Sequence, residues 1–253
     1  MTITHQIPIF APKPIAAESI INSQQKRNAM YTNKELYQLI LTDVMNHPYF
    51  AEFKYRKRDK TLYKKANGIK HYVEFQYWTS YDSTHQLVIF PQYMVKFDIV
   101  LKWFERFSIK SIQDQRDNWD EGFSGEMVSC QNYFIFDKDG KNYKSALSDI
   151  IETMILCCDK IMHDYATLQD YYEMNVVPLL NQNNEIPDTG AECTFQYLAL
   201  CKLVAPDKYD ELKSIIVPQF TKLYKRGEPN VKYYYPRLNE ILSYLENNDI
   251  RKG

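Results

Sequence analysis

Two stretches of alternating polar and apolar residues flank Asn67-Gly68 and predict a β-hairpin. Both central residues of a type I′ turn need a positive φ, which Asn tolerates and Gly adopts freely. A loop of these two residues places Ala66 opposite Ile69. Because side chains alternate between the two faces of a strand, this register fixes the face of every other residue in the hairpin.

The register predicts one apolar face and one polar–aromatic face. The apolar face, which we assign to the core, consists of Leu62, Ile69, Val73, Phe75 and Tyr77. The other face, which is predicted to be wetter or to contact a partner, carries Tyr72, Glu74, Gln76 and Trp78. The same register places Lys65 opposite Lys70, and repulsion between these cations indicates solvent or an anionic partner.

Two further apolar runs predict additional strands. Residues 87–90 form the third, and Pro91 removes a hydrogen-bond donor, so we expect this strand to be an edge strand or to break there. Residues 92–97 can continue it. Asp98 is a predicted N-cap for a short helix. Residues 133–136 form the fourth strand, before a predicted turn at Asp139-Gly140.

Helical periodicity marks the segment before the hairpin and the second half of the chain. Thr32 and Glu35 form a predicted capping box for a helix over 32–47, which His47-Pro48 ends. The later predicted helices are residues 147–165, a helix capped by Thr167 that Pro178 disrupts or ends, a buried helix over 191–204, a helix from Tyr209 interrupted near Pro218, and a last helix with Pro236 in its first turn.

Strands first and helices later predict an α+β fold, a small antiparallel sheet packed against helices with a helical C-terminal half. We divide the chain into an N-terminal arm or extension (1–30), an α+β sheet region (31–142) and a helical region packed on it (143–253), the last two forming one compact unit. An alternative for the arm is that Met30 is the true start and the preceding segment is an upstream artefact.

Three short motifs carry a resemblance to a known family. They are Phe53-Lys-x-Arg56, Leu62-Tyr-Lys64 and Val73-x-Phe-Gln76. Over roughly residues 36–80 the chain resembles a family of bacterial domains of unknown function, although Ala51-Glu52 stands where that family tends to have Gly. At the level of fold class, the protein is similar to immunity proteins of bacterial toxin systems. The resemblance implies a fold more than an activity, since none of these motifs is catalytic.

Composition narrows the functional classes. Thirty-one Lys and Arg balance 32 Asp and Glu, so no global field steers the chain to nucleic acid or to an anionic membrane. The 21 tyrosines suit amphipathic contact faces, but compositional bias is the explanation that we favour. The five cysteines lack CxxC spacing, which predicts buried thiols in a reducing compartment. The sequence also has no run of about 20 apolar residues and no signal-peptide pattern, so we predict a soluble cytoplasmic protein.

Common catalytic and cofactor motifs are missing from the sequence. It contains no GxGxxG and no P-loop, and we predict no cofactor. Asp159 and His163 have metal-ligand spacing but lack a clear third ligand, and residues 137–142 match a plain turn better than a calcium loop. The remaining candidates are Ser124 in an imperfect nucleophile motif, Cys130 with His71 or His85, and the carboxylates Asp120, Glu121 and Glu126.

These observations leave three hypotheses open. The first is a non-catalytic binding protein for a protein partner, with an immunity-type toxin inhibitor as the sharper version; an acidic segment over 114–126 would complement a basic toxin. The second is an enzyme with a site assembled from scattered residues. The third is a nucleic-acid binder that uses the basic hairpin and its aromatic residues. The candidate partner-binding residues are Arg56, Arg58, Lys65, Lys70, Glu74, Gln76, Trp78, Asp117, Trp119, Asp120 and Glu121.

Overall fold

The predicted hairpin is the centre of the sheet. A computed structural model describes residues 30–66, 68–78, 85–111, 121–123, 131–182 and 191–252. Within these ranges the antiparallel strands are β1 (Lys54–Arg56), β2 (Thr61–Ala66), β3 (Ile69–Trp78), β4 (Gln86–Phe97), β5 (Glu121–Phe123) and β6 (Phe134–Asp137). Their order is β1-β2-β3-β4, and β5 and β6 share the far edge of β4. The α+β fold class is confirmed.

The register of the hairpin agrees with the prediction at every pair. Ala66 faces Ile69, Leu62 faces Val73 and Lys65 faces Lys70. Gly68 has φ of 83°, the left-handed conformation that glycine adopts without strain. Asn67 lies outside the described residues, so the turn type stays a prediction.

The prediction that the third strand is an edge or breaks at Pro91 is wrong. Strand β4 runs through Pro91 and lies between β3 and the pair β5/β6. Pro91 faces Phe75, whose amide donates to Lys60 O and not to β4. The nitrogen of Pro91 therefore points to the far edge, at the step between the β6-paired residues 86–89 and the β5-paired residues 93–95. A missing N–H is tolerated at that step.

Asp98 does not act as the predicted N-cap. The short helix α2 (Asp98–Leu101) has Phe97 as its N-cap residue and shows no side-chain capping bond. The Asp98 carboxylate accepts instead from Lys70 Nζ at 2.7 Å. The prediction rested on the adjacent helix alone. In the folded chain, Lys65 and Lys70 of the hairpin attract the carboxylate oxygens of Asp98.

The remaining described helices surround one side of the sheet and continue beyond it. They are α1 (Asn33–Asn46), α3 (Tyr143–Asp164), α4 (Leu168–Asn175), α5 (Val177–Gln182), α6 (Ala191–Val204), α7 (Tyr209–Arg226), α8 (Pro229–Tyr234) and α9 (Leu238–Asn247). Short 3-10 turns lie at Pro48–Glu52, Lys102–Arg106, Pro206–Lys208, Tyr235–Arg237 and Ile250–Lys252.

The capping residues predicted at Thr32 and Thr167 are confirmed, whereas two predictions based on prolines are wrong. The Thr32–Glu35 capping box is present, and Thr167 accepts from the amide of Asp170. The interruption expected near Pro218 is wrong, because α7 is continuous through that residue. Pro218 is exposed, so water can reach the carbonyl that loses its partner. Pro236 lies in the 3-10 turn before α9 rather than inside its first turn.

Helices α1, α3 and α4 cover the apolar face of the sheet. Val73 and Phe75 are fully buried there, and the Tyr37 hydroxyl of α1 donates to Phe75 O at 3.1 Å. Tyr171 of α4 stacks on Phe97 with ring centroids 5.0 Å apart. The core that we assigned from the alternation is therefore the observed core, with Tyr77 only partly buried at its margin.

The outer edge of β6 is closed by side-chain amides. Asn142 Oδ1 accepts from Asp137 N at 2.8 Å, and Asn142 Nδ2 donates to Ile135 O at 2.9 Å. Gln131 Nε2 donates to Tyr133 O at 2.8 Å. Asn142 and Gln131 thus take the place of a neighbouring strand, which protects an edge that would otherwise invite pairing with another chain.

Candidate binding surface

The face of the sheet opposite α1 and α3, here called the outer face, carries most of the predicted partner-binding residues. The register places Arg56, Lys65, Lys70, Glu74, Gln76 and Trp78 on it. Its middle is not open, because Thr61, Tyr72, Met94 and Lys96 are buried. The prediction that Tyr72 belongs to a wet surface is therefore wrong, and the open parts are the two ends.

At one end, lysines stand side by side across three strands. Lys65 faces Lys70, and Lys70 faces Lys96 on β4. The carboxylate of Asp98 bridges the first two, at 2.7 Å from Lys70 Nζ and 3.8 Å from Lys65 Nζ. The pair Lys65 and Lys70 predicted an anionic partner, and Asp98 of the same chain provides one. We call Lys65, Lys70 and Asp98 the basic end.

Other cations of the hairpin are also engaged within the chain. Arg56 contacts both carboxylate oxygens of Asp59, at 2.9 and 2.6 Å, and its guanidinium lies 5.7 Å from the centre of the Tyr72 ring. Lys64 pairs with Glu52 at 2.6 Å. Arg58 is exposed in the turn between β1 and β2. Much of the positive charge of the hairpin is therefore balanced locally, which weakens it as a track for phosphates.

At the other end, large apolar side chains are open to solvent. Trp78 is 46% exposed, Ile135 40% and Tyr133 51%. Trp78 and Ile135 both flank Val88 in the register, and the Trp78 ring lies 5.6 Å from that of Phe90. We call Trp78, Phe90, Tyr133 and Ile135 the aromatic corner. Gln76 is exposed beside it and Glu74 is half-buried further along β3.

The predicted acidic segment cannot be placed on this surface. Asp117, Trp119 and Asp120 lie outside the described residues, as do Ser124, Glu126 and Cys130. Glu121 begins β5, where its Cα pairs with Val95, and its side chain is not described. The role assigned to these residues stays a prediction.

The candidate metal ligands from the sequence have other partners. Asp159 accepts from the Tyr49 hydroxyl at 2.6 Å, and His163 lies 3.1 Å from Asp164. In the candidate calcium loop, the side chain of Asn142 accepts from the amide of Asp137 and donates to the carbonyl of Ile135, so it closes a turn. In the described ranges, no three side chains among His, Cys, Asp and Glu come together as a metal site.

His71 has a different neighbour from the one that the sequence suggested. It lies on the apolar face and shares a small pocket with Cys158 of α3. Burial, with the charge of Lys64, lowers the pKa of His71 to about 4. Burial, with Cys157 and Asp159, raises the pKa of the Cys158 thiol. A neutral imidazole and a protonated thiol do not form the ion pair that activates a catalytic cysteine. Strand alternation places His71 on the apolar face and helical spacing places Cys158 on the apolar stripe of α3, but that these two residues meet could not be predicted from either pattern alone.

A second polar cluster was also missed. Glu192 of α6 accepts from Tyr234, from Ser108 at 3.0 Å and from Lys110 at 2.9 Å. Burial alone would raise the pKa of Glu192, but these hydrogen bonds outweigh it and lower the pKa below its ordinary value. The network ties the turn over 108–110 to α6 and α8. The residues that contact Glu192 lie 42 to 84 positions away from it in sequence, so spacing gives no signal of the network.

Comparisons with protein-family models, curated proteins and solved structures return no match for this chain. The resemblance to bacterial domains of unknown function and to immunity proteins therefore stays a prediction. Among the helices in the described part of the chain, none combines the length and apolarity that a bilayer span requires.

Proposed function

We propose that this is a non-catalytic binding protein that recognises a protein partner through the aromatic corner. The observation that carries the proposal is the exposure of Trp78 and Ile135 on either side of Val88 on the outer face, with the exposed Tyr133 just before the strand that carries Ile135. Aromatic residues in a contiguous exposed patch are typical of the centre of protein interfaces, where a few of them supply most of the binding energy.

The basic end supports a protein partner over a nucleic acid. A nucleic-acid site needs several cations available to phosphates. Here Lys65 and Lys70 share Asp98, and Arg56 holds Asp59 through two contacts. The aromatic corner lies at the opposite end of β3 from Lys70, about 27 Å away at 3.3–3.4 Å per residue, so its rings do not interleave with those lysines.

The sharper form of the proposal is an immunity-type inhibitor that binds a bacterial toxin in the cytoplasm. It rests on the resemblance in fold class and on the predicted acidic segment. The described cysteines, Cys157, Cys158, Cys193 and Cys201, are thiols, which supports a reducing compartment.

The test is affinity capture and cross-linking with the full chain from lysate of the source organism. A photo-reactive residue replaces Gln76, which is exposed beside the aromatic corner. We expect one protein to be cross-linked, and Trp78→Ala to weaken its binding by about 2 kcal/mol, roughly thirtyfold in Kd. Protection of cells against that protein would support the immunity-type form.

The matched control is Leu156→Ala, because Leu156 is a large apolar side chain that is 60% exposed on α3, away from the outer face. This variant should bind like the wild type. Equal binding by Trp78→Ala, or cross-links obtained only from a probe at position 156, would contradict the proposal. Salt-sensitive retention of oligonucleotides that depends on Lys65 and Lys70 would favour the nucleic-acid hypothesis instead.

A further inference from the structure

A small pocket lies between the sheet and α3, away from the outer face. It has room for about one water molecule or one metal ion. Its lining residues are Phe53, His71, Tyr72, Val73, Tyr93, Met94, Cys158, Ile161 and Met162. Most of this lining is apolar, and three residues stand out because their side chains are donors to soft metal ions: His71, Cys158 and Met162.

His71 leaves a polar atom without a partner in this apolar surrounding. The residue is 9% exposed, and its Nδ1 is buried with no hydrogen-bond partner. A buried polar atom without a partner destabilises a fold by about 1–3 kcal/mol, so it calls for a water, an ion or another ligand as its partner. A ligand in the pocket would give this nitrogen its missing partner.

We propose that the pocket binds one monovalent soft metal ion, Cu⁺, through the His71 imidazole, the Cys158 thiolate and the Met162 thioether. Thiolate and thioether sulfur select Cu⁺ over harder cations, and imidazole nitrogen is a good ligand for copper. The presence of these three donor types in the lining of one pocket of single-ion size is the observation that points to this class of ligand.

The charge balance of the pocket favours a monovalent ion. When Cu⁺ binds, the Cys158 S–H bond breaks, the proton leaves to solvent, and a copper–sulfur bond forms without any change of oxidation state. The resulting unit of Cu⁺ and thiolate is neutral. A divalent ion would leave one positive charge among apolar side chains, which costs several kcal/mol. The positive charge of Lys64, the cross-strand neighbour of His71, is only partly balanced by Glu52 at 2.6 Å, and it further disfavours a divalent ion.

A structural zinc site is a poor alternative for the same pocket. Zinc takes four ligands in such sites, usually Cys and His, whereas the pocket offers one of each and a thioether. Cu⁺ is satisfied by two or three donors of mixed nitrogen and sulfur type, so the available set is sufficient for it.

The experiment titrates the reduced, anaerobic full chain with Cu⁺ held by the chelator bicinchoninate, and measures how much copper the protein withdraws. We expect a single high-affinity site. Cys158→Ala and His71→Phe should each weaken it roughly tenfold or more, since even outer partners of metal ligands cost 10–100-fold. Met162→Leu, which conserves volume, should weaken it less. Circular dichroism of each variant checks that it folds.

Cys157→Ala is the matched control, because Cys157 is a buried thiol on the same helix and does not line the pocket. It should retain the site. X-ray absorption at the copper edge should show both nitrogen and sulfur ligands in the wild type and lose the nitrogen in His71→Phe. Absence of a 1:1 site, a site that follows Cys157 rather than Cys158, or all-sulfur ligation in the wild type would overturn the proposal.

Discussion

Replacing Asp98 by Asn should destabilise the fold through the lysines of the hairpin. The substitution keeps the size of the side chain and removes the charge that Lys65 and Lys70 share. The 2.7 Å contact is partly shielded from water, since the two side chains are 27% and 36% exposed, and contributes about 1 kcal/mol. The 3.8 Å contact and the favourable position of an acid in the first turn of α2 add a few tenths each.

We therefore expect Asp98→Asn to lower the free energy of unfolding by about 1.5–2 kcal/mol at low ionic strength. Without the carboxylate, Lys65 and Lys70 also repel each other across the ladder, so Lys65→Gln should recover part of the loss. At 1 M NaCl, where screening acts over about 3 Å instead of about 10 Å, the effect should fall by roughly half.

The assay is urea unfolding followed by tryptophan fluorescence at low and high NaCl; urea is chosen because guanidinium chloride is itself a salt. Asp210→Asn is the matched control, since Asp210 also lies in the first turn of a helix, α7, and is exposed. It should lose only a few tenths of a kcal/mol. A loss in Asp98→Asn that does not depend on salt, or no loss at all, would refute the electrostatic account.

Substitutions at three other positions test separate parts of the fold. Asn142→Ala should lower the free energy of unfolding by about 1–3 kcal/mol and promote aggregation, measured by light scattering, while Asn142→Asp keeps one of the two bonds and should lose about half. Glu192→Gln should make the free energy of unfolding depend less on pH in the acid range. The pKa of Glu192 in the folded protein is lowered from 4.5, so its carboxylate stabilises the fold above that pH. This contribution is lost as the pH falls below 4.5, and the Gln variant does not have it to lose. Urea unfolding at several pH values measures this dependence, and the same loss of stability at low pH in wild type and variant would contradict the prediction. Tyr37→Phe removes the buried bond to Phe75 O and should lower stability by about 1 kcal/mol.

The sequence predicted the parts of the fold that depend on neighbouring residues. The Asn67-Gly68 loop gave the register from Ala66 to Thr61 because one turn sets every later pair. The capping box at Thr32 is likewise a bond between residues three apart. These interactions form within one element or one hairpin, so their residues are adjacent or regularly spaced.

The errors arose where distant residues decide the outcome. Pro91 is tolerated because of the strands that pair on either side of it, and Pro218 because its side of α7 is exposed. Asp98 was assigned to the nearest helix end, although a lysine 28 residues earlier binds its carboxylate. For the site, the exposed Trp78 and Gln76 followed from alternation. Ile135 joined them only because β6 pairs with β4.

The amide of Asn142 has a consequence for how another molecule can approach the sheet. An incoming strand needs a row of unengaged N–H and C=O groups, and the β6 margin offers Ile135 and Asp137 groups that already have partners. At the opposite margin, β1 is three residues long and carries Lys54 and Arg56, which is too short and too charged to serve as a template. At these two margins the sheet therefore offers an approaching molecule side-chain chemistry rather than a row of backbone hydrogen bonds. Under the proposed function, a few such side chains can change to accept a different partner while both of these margins stay closed to fibrous self-assembly.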